Sequence, residues 1–182
     1  MLVQDAQRDV RTVFLGGFPG QLVSGTLWLV SAALGTWGPH RSAILFLVFG
    51  GMLIFPLAQL LLKSMGRRAS LTPGNPFNGL AMQIAFTVPL SLPLIGAATL
   101  HREGWFYPAL MIVVGAHYLP FIFLYGMWLF AALAGLLLAG GVALGLYLPG
   151  TFALGGWLGG SILVLFALIG LASARREALG RG

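Results

Sequence analysis

The chain has 182 residues, of which 58% are hydrophobic and only 8% charged, with a mean hydropathy of +0.93 and a formal net charge of +6. Soluble domains carry about a quarter charged residues, so this composition excludes an ordinary water-soluble enzyme. It excludes disorder as well, which goes with few apolar residues and many charges. A polytopic, all-α membrane protein remains.

A membrane-crossing helix needs roughly 20 mostly apolar residues. In chain order, the runs at residues 18–37, 42–62, 80–99, 106–126, 128–148 and 152–172 are each free of Asp, Glu, Lys and Arg. Polar, Gly or Pro punctuation separates them, such as Gly38-Pro39-His40-Arg41 and Leu148-Pro149-Gly150. The fourth and fifth runs are divided only by Tyr125-Gly126-Met127-Trp128, a tight hairpin that relies on Gly126. This predicts one six-span helical domain over residues 1–182.

The basic residues orient it. Arg8, Arg11, Lys63, Arg67, Arg68, Arg175, Arg176 and Arg181 fall on one side of a six-span chain, against Arg41 and Arg102 on the other. The positive-inside rule then puts both termini in the cytoplasm of a cell whose inner membrane holds the protein. The same rule accounts for the net charge and leaves no solvated basic face for nucleic acid. Arg8 and Arg11 before an apolar run also resemble a secretory signal, but signal cores are about 7–15 residues long. This run continues to Trp37, so a retained first span is expected.

The carboxylates Asp5, Asp9, Glu103 and Glu177 all lie outside the predicted spans. Proton and cation pathways rely on ionisable groups inside the membrane, so carboxylate-coupled antiport and carboxylate-dependent hydrolysis are disfavoured. No catalytic residue is assigned. With no cysteine, thiolate metal sites and covalently attached haem are excluded, and no metal site or cofactor follows from the remaining residues. His40 and His101 share the outer side, but two imidazoles are an incomplete zinc set.

His117 is the ionisable residue nearest mid-span. Polar groups at that depth turn into the bundle, and Pro120 three residues on frees the carbonyl of Ala116. Prolines 19, 56, 89, 93 and 120 all fall in the first four runs, which puts any cavity there. His117 and Tyr118, with Ser91 between Pro89 and Pro93, form the expected ligand site. Gln21, Gln59, Gln83 and Tyr125 fall near the cytoplasmic ends, where they would line an inward vestibule or simply sit at the interface. His40-Arg41 and His101-Arg102, with Gly51 to Pro56 and Gly115 to Pro120, form a weak internal similarity between the first two hairpins.

In the last two runs Gly141 and Gly145, Gly155 and Gly159, and Gly156 and Gly160 stand four apart. Small residues at that spacing let helices approach closely, here each other, a membrane-protein partner or a second copy. The expected activity is binding or moving a small solute or lipid among kinked spans one to four. An accessory or scaffold subunit of a larger membrane complex is the alternative.

The segment from Gly74-Asn75-Pro76 through Gly115-Ala116-His117-Tyr118-Leu119-Pro120, with the earlier Phe55-Pro56, resembles an uncharacterised family of small bacterial multipass proteins. The resemblance implies several membrane helices and an Asn-Pro loop after the second span. It carries no activity, substrate or cofactor. The Leu-, Ala- and Gly-rich spans five and six depart from it.

Overall fold

The computed structural model describes residues 1–148 and 150–179, so Arg181 and Pro149 lie outside the described residues. The described residues form eight α-helices and no strand. These are α1 (Val3–Val13), α2 (Phe18–Trp37), α3 (His40–Gly51), α4 (Ile54–Ser64), α5 (Phe77–His101), α6 (Phe106–Tyr125), α7 (Leu129–Tyr147) and α8 (Leu154–Leu179). Four helical segments are long and apolar enough to cross a membrane, and the number rises to six when each of two bent helix pairs is one span.

The two bends differ in origin. Between α1 and α2 the chain turns by 62° through Gly16 and Gly17, both at positive φ. Pro19, expected to interrupt the first span, instead sits in the first turn of α2, where its missing N–H has no helical acceptor to lose. Between α3 and α4 the bend is 59°. Pro56 cannot donate to the carbonyl of Met52, and its ring crowds that residue, so the helix breaks at the turn of Met52 and Leu53. With 12 and 11 residues, α3 and α4 are each too short to span alone. The helices α5 and α6 stay continuous through Pro89, Pro93 and Pro120.

The core comprises α2, α6, α7 and α8, where Tyr107, Met111, Phe130, Leu133, Leu137 and Leu163 are fully buried. Glycine permits the close approaches. A Cβ on Gly25 would stand 2.9 Å from the carbonyl oxygen of Gly160, and one on Gly159 would stand 2.5 Å from the Trp28 ring. On α7, a Cβ on Gly141 would meet the Pro108 carbonyl oxygen at 2.8 Å. The small-residue faces of the last two spans are therefore occupied by α2 and α6 of the same chain. The broken pair α3 and α4 packs outside α2, and α5 packs outside α6.

Side-chain ties identify the two ends of the bundle. At one end Arg11 of α1 pairs with Glu177 of α8 at 3.0 Å, so both terminal helices end there. At the other, His40 bonds Glu103 at 3.0 Å and stacks on Phe152 at 3.9 Å, which joins the α2–α3, α5–α6 and α7–α8 connections.

Candidate functional site

His117 is half-buried on α6, and its Nδ1 lies 2.7 Å from the Thr87 hydroxyl of α5. That hydroxyl donates its one proton to the Ile84 carbonyl at 2.8 Å, so the ring nitrogen is the donor and Nε2 keeps the lone pair. Ser91 donates to the Thr87 carbonyl at 2.8 Å, one turn back in its own helix. Gln83, Thr87 and Ser91 recur every four residues and so share a face of α5, with Gln83 and Thr87 exposed. Only 11% of the most apolar stretch of α5 is buried.

Tyr118 and Tyr125 are more deeply buried than His117. Both are buried in an aromatic cluster with Phe121 and Phe130, with Tyr125 and Phe130 centroids 4.7 Å apart and Phe121 and Tyr125 stacked at 5.5 Å. His117 joins this cluster through Phe121 at 5.1 Å. The rings pack against one another. Gln59 is half-buried on α4, in a different part of the bundle from His117. Of the expected residues, the structure brings His117, Tyr118 and Tyr125 into one cluster and Ser91 beside it, with Gln59 and Gln83 apart. Gln21 is 2% exposed, beside Gly17, with both amide atoms unpartnered among the described residues.

The cytoplasm-assigned end holds a polar cluster that sequence reasoning did not find. Ala6, Val10 and Val13 form the buried stripe of α1, which precedes the first apolar run at residues 18–37. Asp9 on its flank accepts bonds from the Thr72 backbone N–H at 2.8 Å, the Thr72 hydroxyl at 2.9 Å, the Asn75 amide at 2.9 Å and the Arg68 guanidinium. Burial pushes the Asp9 pKa up, but the bonds from Asn75 and Thr72 and the charge of Arg68 outweigh it and hold the carboxyl below its ordinary 3.8. Asn75 also accepts from the Phe77 N–H at 2.9 Å, which starts α5. Arg11 grips both oxygens of Glu177 and the carbonyl of Tyr125, while Gln7 donates to the Phe123 carbonyl at 2.7 Å. The C-terminal end of α6 is thus capped by α1. A side chain at Gly126, at φ 63°, would collide with Gln7 and Arg11. The available signal was the i, i+4, i+7 spacing of Ala6, Val10 and Val13 among polar neighbours.

At the other end Ser31 donates to the Ala43 carbonyl at 2.8 Å and accepts from the Tyr107 hydroxyl at 2.6 Å, all fully buried. The His40–Glu103 pair lies at this end too, with both side chains exposed. Among the described residues no three His, Cys, Asp or Glu side chains gather as metal ligands.

Two surface hollows adjoin the end of α4. An apolar groove of about 470 Å³ runs between α2 and α4, with Leu22, Leu27, Leu57 and Leu60 among its walls. Its two hydroxyl residues are internally satisfied, Thr26 by the Leu22 carbonyl and Ser64 by the Leu61 carbonyl. A recess of about 270 Å³ follows, lined by Thr12, Val13, Gly66, Arg67 and Arg68. The turn between them is fixed by Gly66 at φ 69°, whose N–H bonds the Lys63 carbonyl while the Arg67 N–H bonds that of Leu62. This is the Schellman closure of a helix.

An all-helical chain with several apolar spans, no strand among its described residues and its polar groups tied at two ends has the build of a helical membrane protein. Its sequence matches the profile of a family of unknown function, DUF7010, over residues 3–173, and the chain belongs to that family. No curated protein and no solved structure matches it.

Proposed function

We propose that the protein works in the plane of the membrane, holding a lipid or lipid-like amphiphile against its first two spans. It would do so as a multipass protein of the inner membrane with both termini in the cytoplasm. The observation that carries this reading is the break at Pro56, which tilts α4 by 59° from α3 and leaves an apolar groove on α2. The groove has no unsatisfied polar atom to demand a polar solute, and it opens sideways.

Leu57 lines the groove at 39% exposure, and Leu57→Trp would fill it. Native mass spectrometry of the delipidated full chain with added phosphatidylcholine tests this. The wild type should retain lipid adducts that the variant loses at unchanged helicity. Equal retention would refute the reading.

A second reading, an accessory subunit, draws support from α5. A span so sparsely covered that carries the exposed Gln83 suits a neighbouring helix able to hydrogen-bond it. The native-detergent mass of the complex extracted from its own membranes should then exceed that of the monomer. A monomer that keeps its lipid would overturn this.

A further inference from the structure

Resting on the groove reading, we propose that the occupant is an anionic phospholipid, with its acyl chain between α2 and α4 and its phosphate at Arg67 and Lys63. The argument is one of position and charge. Ser64 lines the groove and Gly66 lines the basic recess, so the two hollows meet across a single Schellman turn. That turn reverses the chain at the end of α4, and Arg67 just beyond it lines the recess. Lys63, in the last turn of α4, is exposed and immediately precedes the groove-lining Ser64.

The available cations differ in their commitments. Arg68 is held by Asp9, and Arg11 by Glu177. Arg67 and Lys63 form no ion pair among the described residues. Two unpaired cations beside an apolar slot match a phospholipid with a net negative head, whose phosphate takes a guanidinium fork and whose chain takes the leucines. A zwitterionic lipid offers the same chain, but its own cation opposes Arg67 and Lys63. The recess accepts the headgroup because Thr12 and Gly66 leave it open, and nothing lies within 4 Å of where a Cβ on Gly66 would stand.

The test uses the full chain in detergent, titrated separately with phosphatidylglycerol, phosphatidylcholine and inorganic phosphate, and read by native mass spectrometry and thermal shift. Phosphatidylglycerol should bind the wild type more tightly than phosphatidylcholine, and inorganic phosphate should produce no shift. Arg67→Gln combined with Lys63→Gln should lower the preference for phosphatidylglycerol by roughly thirtyfold, since each of the two cations near a membrane surface contributes on the order of 1 kcal/mol. Binding of phosphatidylcholine should be unchanged. Arg175→Gln, an exposed cation at the end of α8, should leave the preference intact. A double variant with undiminished preference, or a loss matched by Arg175→Gln, overturns the headgroup assignment. Leu57→Trp separates the two ideas. If it abolishes retention of both lipids while the double variant has no effect, the groove stands and the anionic assignment falls. If Leu57→Trp changes nothing, the groove reading itself falls.

Discussion

Asp9 is the most heavily used polar side chain in the fold, and its removal has a calculable consequence. Its side chain is 9% exposed and receives three bonds from Thr72 and Asn75 in addition to the guanidinium of Arg68. Arg68 is 55% exposed, so solvent screens its share to a few tenths of a kcal/mol. The other three bonds to an ionised acceptor contribute roughly 1.5–3 kcal/mol each in isolation, but they are coupled through one carboxylate and do not add. Asp9→Ala should cost about 3 kcal/mol, because it leaves the Thr72 N–H without an acceptor and removes the shorter of the two bonds of the Asn75 amide, which keeps only the Ala6 carbonyl at 3.3 Å. For a chain of this size that lowers Tm by roughly 6–12 °C. Asp9→Asn, which keeps one acceptor oxygen, should lose about half as much. Asp5→Asn, exposed on the same helix, should lose nothing measurable.

The pH dependence has a definite sign. A carboxyl held below its ordinary 3.8 when folded stabilises the fold fully above that value, and the contribution disappears as pH falls through the lower folded pKa. The gap between wild type and Asp9→Ala should therefore be constant from neutral pH down to about 4 and narrow below it. Thermal unfolding of the full chain in a mild detergent, followed by circular dichroism across pH, reads both effects. An Asp9→Ala variant within about 1 °C of wild type at pH 7 would refute the claim that this carboxylate fastens α1 to the 63–76 loop.

Further outcomes follow from the packing and the topology. Ser31→Ala should destabilise more than Tyr107→Phe, because it leaves the Tyr107 hydroxyl buried without a partner, at about 1–3 kcal/mol, whereas Tyr107→Phe leaves Ser31 still bonded to the Ala43 carbonyl. The order of the two melting temperatures checks this. Gly25→Ala places a Cβ 2.9 Å from the Gly160 oxygen and 3.0 Å from the Val164 nitrogen, backbone atoms that cannot rotate away. It should cost roughly 1–3 kcal/mol by overpacking, while Gly20→Ala, with nothing within 4 Å, should be neutral or stabilising in the same melt. Because the chain has no cysteine, Ser70→Cys and Ser42→Cys each create a unique thiol at opposite ends of the bundle. In intact cells an impermeant maleimide should label Ser42→Cys and spare Ser70→Cys, and the reverse pattern would invert the proposed orientation.

What the sequence disclosed and what it hid divide along a physical line. The start of α2 at Phe18, the extents of α6 and α7, and the division of basic residues between the two ends were all legible, because burial in lipid is decided residue by residue. Proline effects were legible only in part. Pro56 breaks its span while Pro89, Pro93 and Pro120 do not, although each removes the same N–H. Pro56 differs in following Gly50 and Gly51, whose lack of side chains leaves the preceding turn with little to hold it.

Long-range polar pairing was not legible at all. Asp9 meets Thr72 and Asn75 across more than 60 residues, and Arg11 meets Glu177 across 166. No local pattern encodes such partners, since each depends on where six helices end. The carboxylates that the apolar runs leave out are far from idle. Three of the four, Asp9, Glu103 and Glu177, close the ends of the bundle. That arrangement bears directly on the unpaired cations. With Asp9 and Glu177 already committed to Arg68 and Arg11, neither Arg67 in the recess nor the nearby Lys63 has an ion-pair partner among the described residues, and that is the counter-charge the proposed lipid head would supply.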